Sequence, residues 1–327
     1  LATGGRATGV VLNSGNANAA TGAAGLADAE RMCEITAEAL GCSPDEVLVC
    51  STGWIGYPLP MDAITTGIGR VADSLNPAGG QAAAEAIMTT DTVPKNTQVD
   101  GEGFTVGGMA KGAAMLEPNM ATMLAVLTTD AAVDPTTATG LLQGAVATSF
   151  NCLTVDGAES TNDTVLLLAS GRAGPIDPSV LGRALSAACR DLAVQMADDA
   201  EGSTKTVFLT VTGAATDTEA ARAARHTANC QLVKCSWYGQ DPYWGRIAAQ
   251  MGAAGIAFDP DTITIDYGGQ VVYADGRAPE VDAEALAAHM AGRRLDLTVD
   301  LGQGPGTAKV VTTDLTPAYI DENMRTS

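Results

Sequence analysis

Apolar positions along this chain fall into two patterns, short unbroken runs and helical spacing. The segments 9–13 and 45–53 (GVVLN and DEVLVCSTG) read as buried strands that lead into loops. Between them, apolar residues recur at helical spacing over 24–41, and the pattern stops at Gly41, a residue typical of helix ends. This strand-helix-strand order predicts an α/β protein built from layers.

The same two patterns continue to the C-terminal end. Proline marks two of the helix starts, at Pro135 and at Pro178, the latter just after a capping Asp177. A Gly268-Gly269 turn predicts a hairpin over 261–277. Further helices are predicted at 60–75, 79–88, 135–151, 177–202 and 241–255 and around Leu286, and further strands at 105–115, 123–133, 164–171, 204–213, 294–301 and 307–313.

Composition narrows the function classes. The chain has 327 residues, long enough for a sizeable core, and carries a net charge of -20. Nucleic-acid binding depends on Lys and Arg contacts to phosphate, so this balance argues against it. No run reaches membrane-span length and no signal pattern opens the chain, which predicts a cytoplasmic protein without a membrane anchor.

Cysteine and histidine usage limits the available chemistry. Seven cysteines without a C-x-x-C pair favour reduced thiols over disulfides or a zinc site. Two histidines far apart, His226 and His289, make a Ser-His-Asp triad or a multi-histidine metal site a poor prediction. We therefore expect no metal and no cofactor, and any nucleophile must find its base elsewhere.

One boundary stands out in KGAAMLEPNMATML, residues 111–124. A Pro-Asn turn is followed by Ala121 and Thr122, and then by an apolar run. A threonine after a small residue, at the start of a strand, suits a self-cleaving protein that exposes a new N-terminal nucleophile. The alternative is that Thr122 is an ordinary β-branched strand residue.

Two other stretches suggest chemistry. In GGMAKG (107–112), flanking glycine lets the backbone at Lys111 approach a ligand, although the spacing is not that of a phosphate-binding loop. In STGWIG (51–56), the Thr52 hydroxyl and the Gly53 N–H are a possible oxyanion pair. Spacing alone favours an ordinary turn after the strand.

Acidic residues cluster in two further stretches, DGAESTND (156–163) and ADDAEG (197–202). Without histidine or EF-hand spacing nearby, these are better interpreted as polar loops or helix ends than as metal sites. Glu201 differs because it precedes Gly202 between a helix and a strand, where one carboxylate can enter a cleft.

Taken in order, the motifs go beyond these separate interpretations. LNSGNANAATG, STGWIG, TTDTVPK, KGAAMLEPNMATMLAVLTTDA, STNDTVLLLASG, EGSTK and QDPYWGRI follow one another from about residue 9 onward. Together they resemble the ornithine acetyltransferase family of arginine biosynthesis, the ArgJ family (glutamate N-acetyltransferases). Family members usually carry an additional segment ahead of NSGNAN.

The resemblance implies self-cleavage between Ala121 and Thr122. It would give an α chain, 1–121, and a β chain, 122–327, that begins with the nucleophile. A free α-amine has a pKa of about 7.7–8.0, so it can act as the base that a threonine hydroxyl lacks. Thr122 would take acetyl from N2-acetylornithine, release ornithine, and pass the acetyl group to L-glutamate to give N-acetylglutamate in a ping-pong cycle.

Other roles follow from the resemblance residue by residue. Thr52 and Gly53 match the oxyanion hole, and Thr89, Lys111 and Glu201 match substrate contacts. Asn323 and Ser327 correspond to a C-terminal Asn and Ser/Thr, but the ending DENMRTS departs from the family's usual one. Tyr243 also stands where the family commonly has Asn.

The resemblance also implies the architecture. The expected fold is α/β with stacked β layers flanked by helices, as in N-terminal-nucleophile aminopeptidases of the DmpA type. The α and β chains are expected to assemble as α2β2 or a multiple of it.

Two rival functions and one question of detail remain open. An N-terminal-nucleophile amidase or aminopeptidase would use the same threonine with water as acceptor, and a non-catalytic binding protein would keep the fold uncleaved. On the acetyl donor, we hypothesise recycling from acetylornithine only, because a net charge of -20 should repel anionic coenzyme A.

Overall fold

The structure, a computed structural model, describes residues 4–117 and 123–324. Predictions that fall on Ala121, Thr122 and Ser327 therefore lie outside the described residues. The chain divides into two compact units: unit 1 comprises Leu1–Asn151 and Glu159–Met196, and unit 2 comprises Cys152–Ala158 and Ala197–Ser327.

Unit 1 contains two sheets and their covering helices. Its strands are β1 (Gly9–Asn13), β2 (Val47–Ser51), β3 (Lys95–Gly101), β4 (Phe104–Lys111), β5 (Leu124–Ala132) and β6 (Thr164–Pro175). Its helices are α1 (Gly22–Leu40), α2 (Met61–Asp73), α3 (Gly80–Ala86), α4 (Pro135–Ala147) and α5 (Pro178–Asp198), the last of which runs into unit 2.

The larger sheet of unit 1 has the order β3-β4-β5-β6, with β5 antiparallel to β4 and parallel to β6. The first four residues of β5 are buried, as its unbroken apolar run predicts. β1 and β2 form a separate parallel pair, and α1 and α2 pack against each other through a cluster that includes Met32 and Ile68. Helix α4 starts at Pro135, where the Asp134 side chain accepts hydrogen bonds from two backbone N–H groups.

Unit 2 contains one five-stranded mixed sheet with helices packed on it. Its strands are β7 (Thr206–Ala214), β8 (Thr264–Tyr267), β9 (Gln270–Tyr273), β10 (Arg294–Asp300) and β11 (Gly306–Thr313), in the order β11-β7-β10-β8-β9. Its helices are α6 (Asp217–Ala228), α7 (Gln231–Tyr238), α8 (Trp244–Ala253), α9 (Ala283–Ala291) and α10 (Pro317–Asn323).

The core of unit 2 is continuous and apolar. Val207, Leu209 and Val211 project from β7 at every second position and are fully buried with Leu297 of β10 and Trp237 of α7. The Trp237 indole N–H donates to the Tyr267 hydroxyl at 3.1 Å, which satisfies both buried polar groups.

The predicted fold class is confirmed: the protein is α/β, with sheets flanked by helices. The strand-helix-strand opening and the hairpin at Gly268-Gly269 are also confirmed. Helix α8 begins three residues later than predicted, because Asp241 first forms a turn by accepting the Tyr243 N–H at 3.2 Å.

Candidate active site

Three sequence-predicted residues of unit 1 converge on one ammonium group. Lys111 ends β4, its side chain is buried, and its Nζ donates to Thr89 Oγ1 at 2.7 Å and to Thr52 Oγ1 at 3.3 Å. The two threonines come from the segment after α3 and from the loop after β2. The structure therefore brings together residues that lie 59 and 22 positions from Lys111 in sequence.

These contacts leave the two hydroxyls as donors. An ammonium group has no acceptor, so both threonine oxygens accept from Lys111 and keep their own O–H for another partner. Within residues 4–117 and 123–324, neither hydroxyl donates to a protein acceptor. Thr52 is 2% exposed, so its hydroxyl acts in a low-dielectric environment where hydrogen bonds are stronger than in water.

Gly53 lies next to Thr52 in a conformation that glycine favours. Its φ is +127°, and a Cβ built there would lie 2.2 Å from the Gly15 carbonyl carbon. The loop after β1 therefore passes directly over this glycine. Across the described part of the chain, no hydrogen bond uses the Gly53 N–H.

The buried carboxylate of Asp91 accepts hydrogen bonds from the main chain at Thr89 and at Gly112, the residue after Lys111. Asp91 Oδ1 lies 2.6 Å from Lys95 Nζ and accepts the Gly112 N–H at 2.7 Å, while Oδ2 accepts the Thr89 N–H at 3.1 Å. Burial acts to raise the pKa of Asp91, but the charges of Lys111 and Lys95 and the hydrogen bonds outweigh it and lower that pKa. Asp91 is therefore ionised near neutral pH.

A second carboxyl group lies beside the boundary at residue 122. Asp163 Oδ1 accepts the N–H of Met123, the residue that follows Thr122 in sequence, at 2.7 Å. Asp163 Oδ2 is buried, and no described residue is its hydrogen-bond partner. Burial raises the pKa of Asp163 to about 7, against the Met123 hydrogen bond and the positive charge of Lys111, which lower it.

The remaining described candidates lie in unit 2. Glu201 is buried, and its Oε2 accepts a hydrogen bond from Asn323 Nδ2 at 2.8 Å. Gly202 takes φ +62°, and a Cβ there would lie 2.3 Å from the backbone nitrogen of Tyr319. The turn after Glu201 therefore packs closely on helix α10, which places Asn323 against Glu201.

Sequence reasoning found some of this arrangement and missed some of it. Thr52, Thr89 and Lys111 form one group, and Glu201 and Asn323 form another. Asp91 and Lys95 were missed, although both stand in the TTDTVPK motif, and the lysine four residues after the aspartate was the available signal. Asp163 was interpreted as a polar loop residue, but one of its carboxyl oxygens is buried.

Neither a metal site nor a membrane-spanning helix is found among the described residues. No group of three or more His, Cys, Asp or Glu side chains there lies close enough together to hold a metal ion. No helix in residues 4–117 and 123–324 is long and apolar enough to cross a bilayer.

The fold and the cluster are those of an acyl-transfer enzyme. Two hydroxyls aligned by a buried lysine, next to a glycine N–H, are donors suited to the oxyanion of an acyl transfer. Comparison with known proteins then identifies the family. A profile of the ArgJ family matches residues 1–326, so the chain belongs to the ArgJ family.

Individual relatives support the assignment to the ArgJ family. The chain is 50% identical to the "Arginine biosynthesis bifunctional protein ArgJ" of Mycolicibacterium paratuberculosis over 96% of this chain and 79% of that protein. It is 45% identical to the protein of the same name from Thermobifida fusca, over 98% of this chain and 83% of that protein.

A crystal structure of the ArgJ protein from Bacillus halodurans superposes with a TM-score of 0.57 and 36% identity, covering 60% of this chain and 96% of that one. The expected N-terminal-nucleophile type of fold is thus confirmed, and the protein is an acetyltransferase of arginine biosynthesis.

Proposed function

We propose that this enzyme moves an acetyl group from N2-acetylornithine to L-glutamate through an acetyl-Thr122 intermediate. The observation that carries the proposal is the convergence of Thr52, Thr89 and Lys111 beside Gly53. These residues match the family motif one by one. The names of the relatives, which refer to arginine biosynthesis, support the substrate class.

The enzyme first makes its own nucleophile. The Thr122 hydroxyl attacks the Ala121 carbonyl, the C–N bond breaks, and the α chain is left as an ester on Thr122. Breaking the C–N bond frees the α-amine of Thr122, which takes up the proton of the attacking hydroxyl. Water then hydrolyses the ester, which frees the carboxylate of residue 121 and the Thr122 hydroxyl. The proposed products are the chains 1–121 and 122–327.

The transfer then runs in two halves. The Thr122 α-amine takes the hydroxyl proton while Oγ attacks the acetyl carbonyl, and that proton leaves with the ornithine amine. The amine of glutamate then attacks the acetyl ester, and N-acetylglutamate departs while the hydroxyl regains its proton. In both halves the Thr52 hydroxyl and the Gly53 N–H donate to the oxyanion, and each such donor is worth about 3–4 kcal/mol.

Lys111 supplies charge for binding. Lys111 brings a buried ammonium group to the cluster of Thr52 and Thr89. Acetylornithine and glutamate share an α-carboxylate that suits this charge. Glu201, held by Asn323, is the proposed partner for substrate in unit 2, and Ser327 completes the set implied by the family motif.

The donor range needs its own test. The hypothesis of recycling only rests on the net charge of the whole chain, which does not determine the charge within the substrate cluster. The relatives are named bifunctional, which favours a second donor such as acetyl-CoA. We therefore give the recycling reaction as the core proposal and treat acetyl-CoA use as a question for the assay.

Product analysis tests the proposal. Purified protein is incubated with acetylornithine alone, with acetylornithine and glutamate, and with acetyl-CoA and glutamate, beside a Thr122→Ala variant. We expect ornithine and N-acetylglutamate in equal amounts when glutamate is present, and no turnover by the variant. Acetate release that ignores glutamate would instead identify an amidase, and full activity in Thr122→Ala would refute the proposed nucleophile.

A further inference from the structure

The oxyanion donors and the proposed nucleophile belong to segments that extend from two different sheets of unit 1. Thr52 and Gly53 follow β2 of the two-stranded sheet, whereas Met123, the residue after Thr122, precedes β5 of the four-stranded sheet. Within the described residues, no strand pairing joins these two sheets. Acyl transfer needs the nucleophile and the donors within about 3 Å of one carbonyl group. Side-chain contacts between the two sheets therefore matter for this distance.

Asn162, in the loop before β6, contacts the end of β2. Its Nδ2 donates to Ser51 Oγ at 3.1 Å and to the main-chain oxygen of Asn18 at 3.4 Å. Its Oδ1 accepts from the Thr161 hydroxyl at 2.6 Å, so both ends of the amide are bound. Ser51 is buried, and its Oγ also accepts the Asn18 N–H at 2.8 Å, which uses both lone pairs of the hydroxyl oxygen. Asn162 and Asn18 therefore hold the residue that directly precedes Thr52.

Asp163, the next residue, contacts the start of β5. Its Oδ1 accepts the Met123 N–H at 2.7 Å, and the Thr164 N–H donates to the Met123 carbonyl oxygen at 3.0 Å. The main chain of Met123 is therefore held on both sides, where the parallel pairing of β5 with β6 begins. Because Asn162 and Asp163 are adjacent, one short segment contacts the residue before the oxyanion pair and the residue after the proposed nucleophile.

Loop stability is the alternative explanation, since Asn and Asp side chains often hydrogen-bond nearby main chain in loops. These two bonds are not local, however, because their partners lie 111 and 40 residues away in sequence. Each also ends one residue from a group that is proposed to take part in the chemistry. The Lys111–Thr52 hydrogen bond is another link between the two sheets, but it holds a side-chain hydroxyl and not the main chain.

We propose that Asn162 and Asp163 are positioning residues for acetyl transfer. Asn162 holds Ser51, and with it the oxyanion donors at the next two positions, while Asp163 holds Met123, which is covalently bonded to the proposed nucleophile. This inference rests on the proposed function, because it assumes that Thr122 carries the acetyl group.

Ser51→Ala, Asn162→Ala and the double variant test the link to the oxyanion pair. Each single change removes the Ser51–Asn162 bond, and we expect kcat to fall about tenfold, because small displacements of reacting groups have large effects on rate. KM for acetylornithine should stay within about twofold of the wild type, since the bond acts on the transition state and not on substrate binding. The double variant should have nearly the kcat of the slower single variant, because both changes remove the same bond.

Ser149→Ala is the matched control. Ser149 is buried like Ser51 and lies in the same unit, and its hydroxyl donates to the Ala145 carbonyl oxygen at 2.6 Å. The substitution removes the same atom, so it should lower Tm and leave kcat unchanged. All rates are divided by the fraction of chain cleaved between residues 121 and 122, measured by intact mass, so that slow self-cleavage is not counted as slow transfer.

Two variants of Asp163 test the link to Met123. Asp163→Asn keeps an oxygen that can accept the Met123 N–H, whereas Asp163→Leu has similar branching and no acceptor. We expect Asp163→Asn to keep kcat within about threefold of the wild type and Asp163→Leu to lose about tenfold or more. Positioning predicts this rescue by the amide, whereas a role for the carboxyl proton predicts that both variants fail.

Each result supports or overturns a stated part of the inference. Wild-type kcat in Ser51→Ala and Asn162→Ala, or an equal loss of kcat in Ser149→Ala, would overturn the role of Asn162. Equal losses in Asp163→Asn and Asp163→Leu would overturn the positioning role of Asp163. Either set of variants decides by itself if the other does not fold or cleave. If the wild-type enzyme forms no acetyl-Thr122, the proposed function fails first, whatever these variants do.

Discussion

At the scale of single residues, Asp163 has an altered ionisation and contacts Met123, the residue that follows the proposed nucleophile in sequence. Its carboxyl group accepts the Met123 N–H, and its second oxygen is buried without a hydrogen-bond partner among residues 4–117 and 123–324. Burial disfavours the charged form, and the nearby Glu159 adds repulsion, so the pKa rises from its ordinary 3.8 to about 7. The folded protein therefore holds a proton on Asp163 at pH values where the unfolded chain has lost it.

The raised pKa of Asp163 in the folded protein makes its stability depend on pH in a direction that can be tested. Below about pH 4 Asp163 is protonated in both states, and between about pH 4 and pH 7 only the folded state keeps the proton, so its contribution to stability is lost as pH rises through 7. Asp163→Asn retains the acceptor for Met123 and cannot ionise. We expect the variant to gain stability relative to wild type from pH 5 to pH 8, measured as the Tm difference in a pH series. A difference in Tm that does not change with pH would contradict this assignment.

The sequence predicted which residues form the candidate site better than it predicted the burial and contacts of those residues. The motifs located Thr52, Thr89 and Lys111, which are hydrogen-bonded in unit 1, and Glu201 and Asn323, which are hydrogen-bonded in unit 2. The altered ionisation of Asp163 depends on burial and on a partner 40 residues away. Local sequence contains no measure of either.

At the scale of elements, the loop after β2 depends on a close approach between two main chains. Gly53 lies against Gly15 and Asn16, and the parallel β1–β2 pair brings both loops to the same edge. Only a residue without Cβ fits there.

Two glycines of this loop make a matched pair for substitution. Gly56 also has positive φ, at +81°, but a Cβ there meets nothing within 4 Å. Gly56→Ala should cost about 1–2 kcal/mol from backbone strain alone, with kcat nearly unchanged. Gly53→Ala should cost more and lower kcat at least about tenfold, because the Gly15–Asn16 segment must move. Equal Tm and kcat in the two variants would show that the close approach does not matter.

Element prediction succeeded where the local signal was strong. Strand β1, helix α1 and the β8–β9 hairpin match their predicted positions, since each combines a clear apolar period with a glycine boundary. Strand β3 was missed because KNTQVDG is mostly polar, and it forms through antiparallel pairing with β4. Helix α10 was also missed, because a seven-residue helix has little periodicity to detect.

At the scale of the whole molecule, the proposed cleavage separates in sequence two strands that are neighbours in one sheet. β4 belongs to the proposed α chain and β5 to the proposed β chain, yet they pair antiparallel from Val106–Thr129 to Lys111–Leu124 in the same four-stranded sheet of unit 1. The cleavage products therefore do not correspond to the two compact units. Cutting one peptide bond leaves this pairing intact, so the two chains should remain together under native conditions.

The measurement that tests the account most directly is intact mass on the native, gel-filtered protein, with and without acetylornithine, beside Thr122→Ala. The account predicts one elution peak that holds two chains split at Ala121–Thr122. The 122–327 chain should gain the mass of one acetyl group with acetylornithine and lose it when glutamate is added. Thr122→Ala should give a single chain that gains nothing. An uncleaved wild-type chain that still turns over substrate, or an acetyl group on the 1–121 chain, would contradict the account.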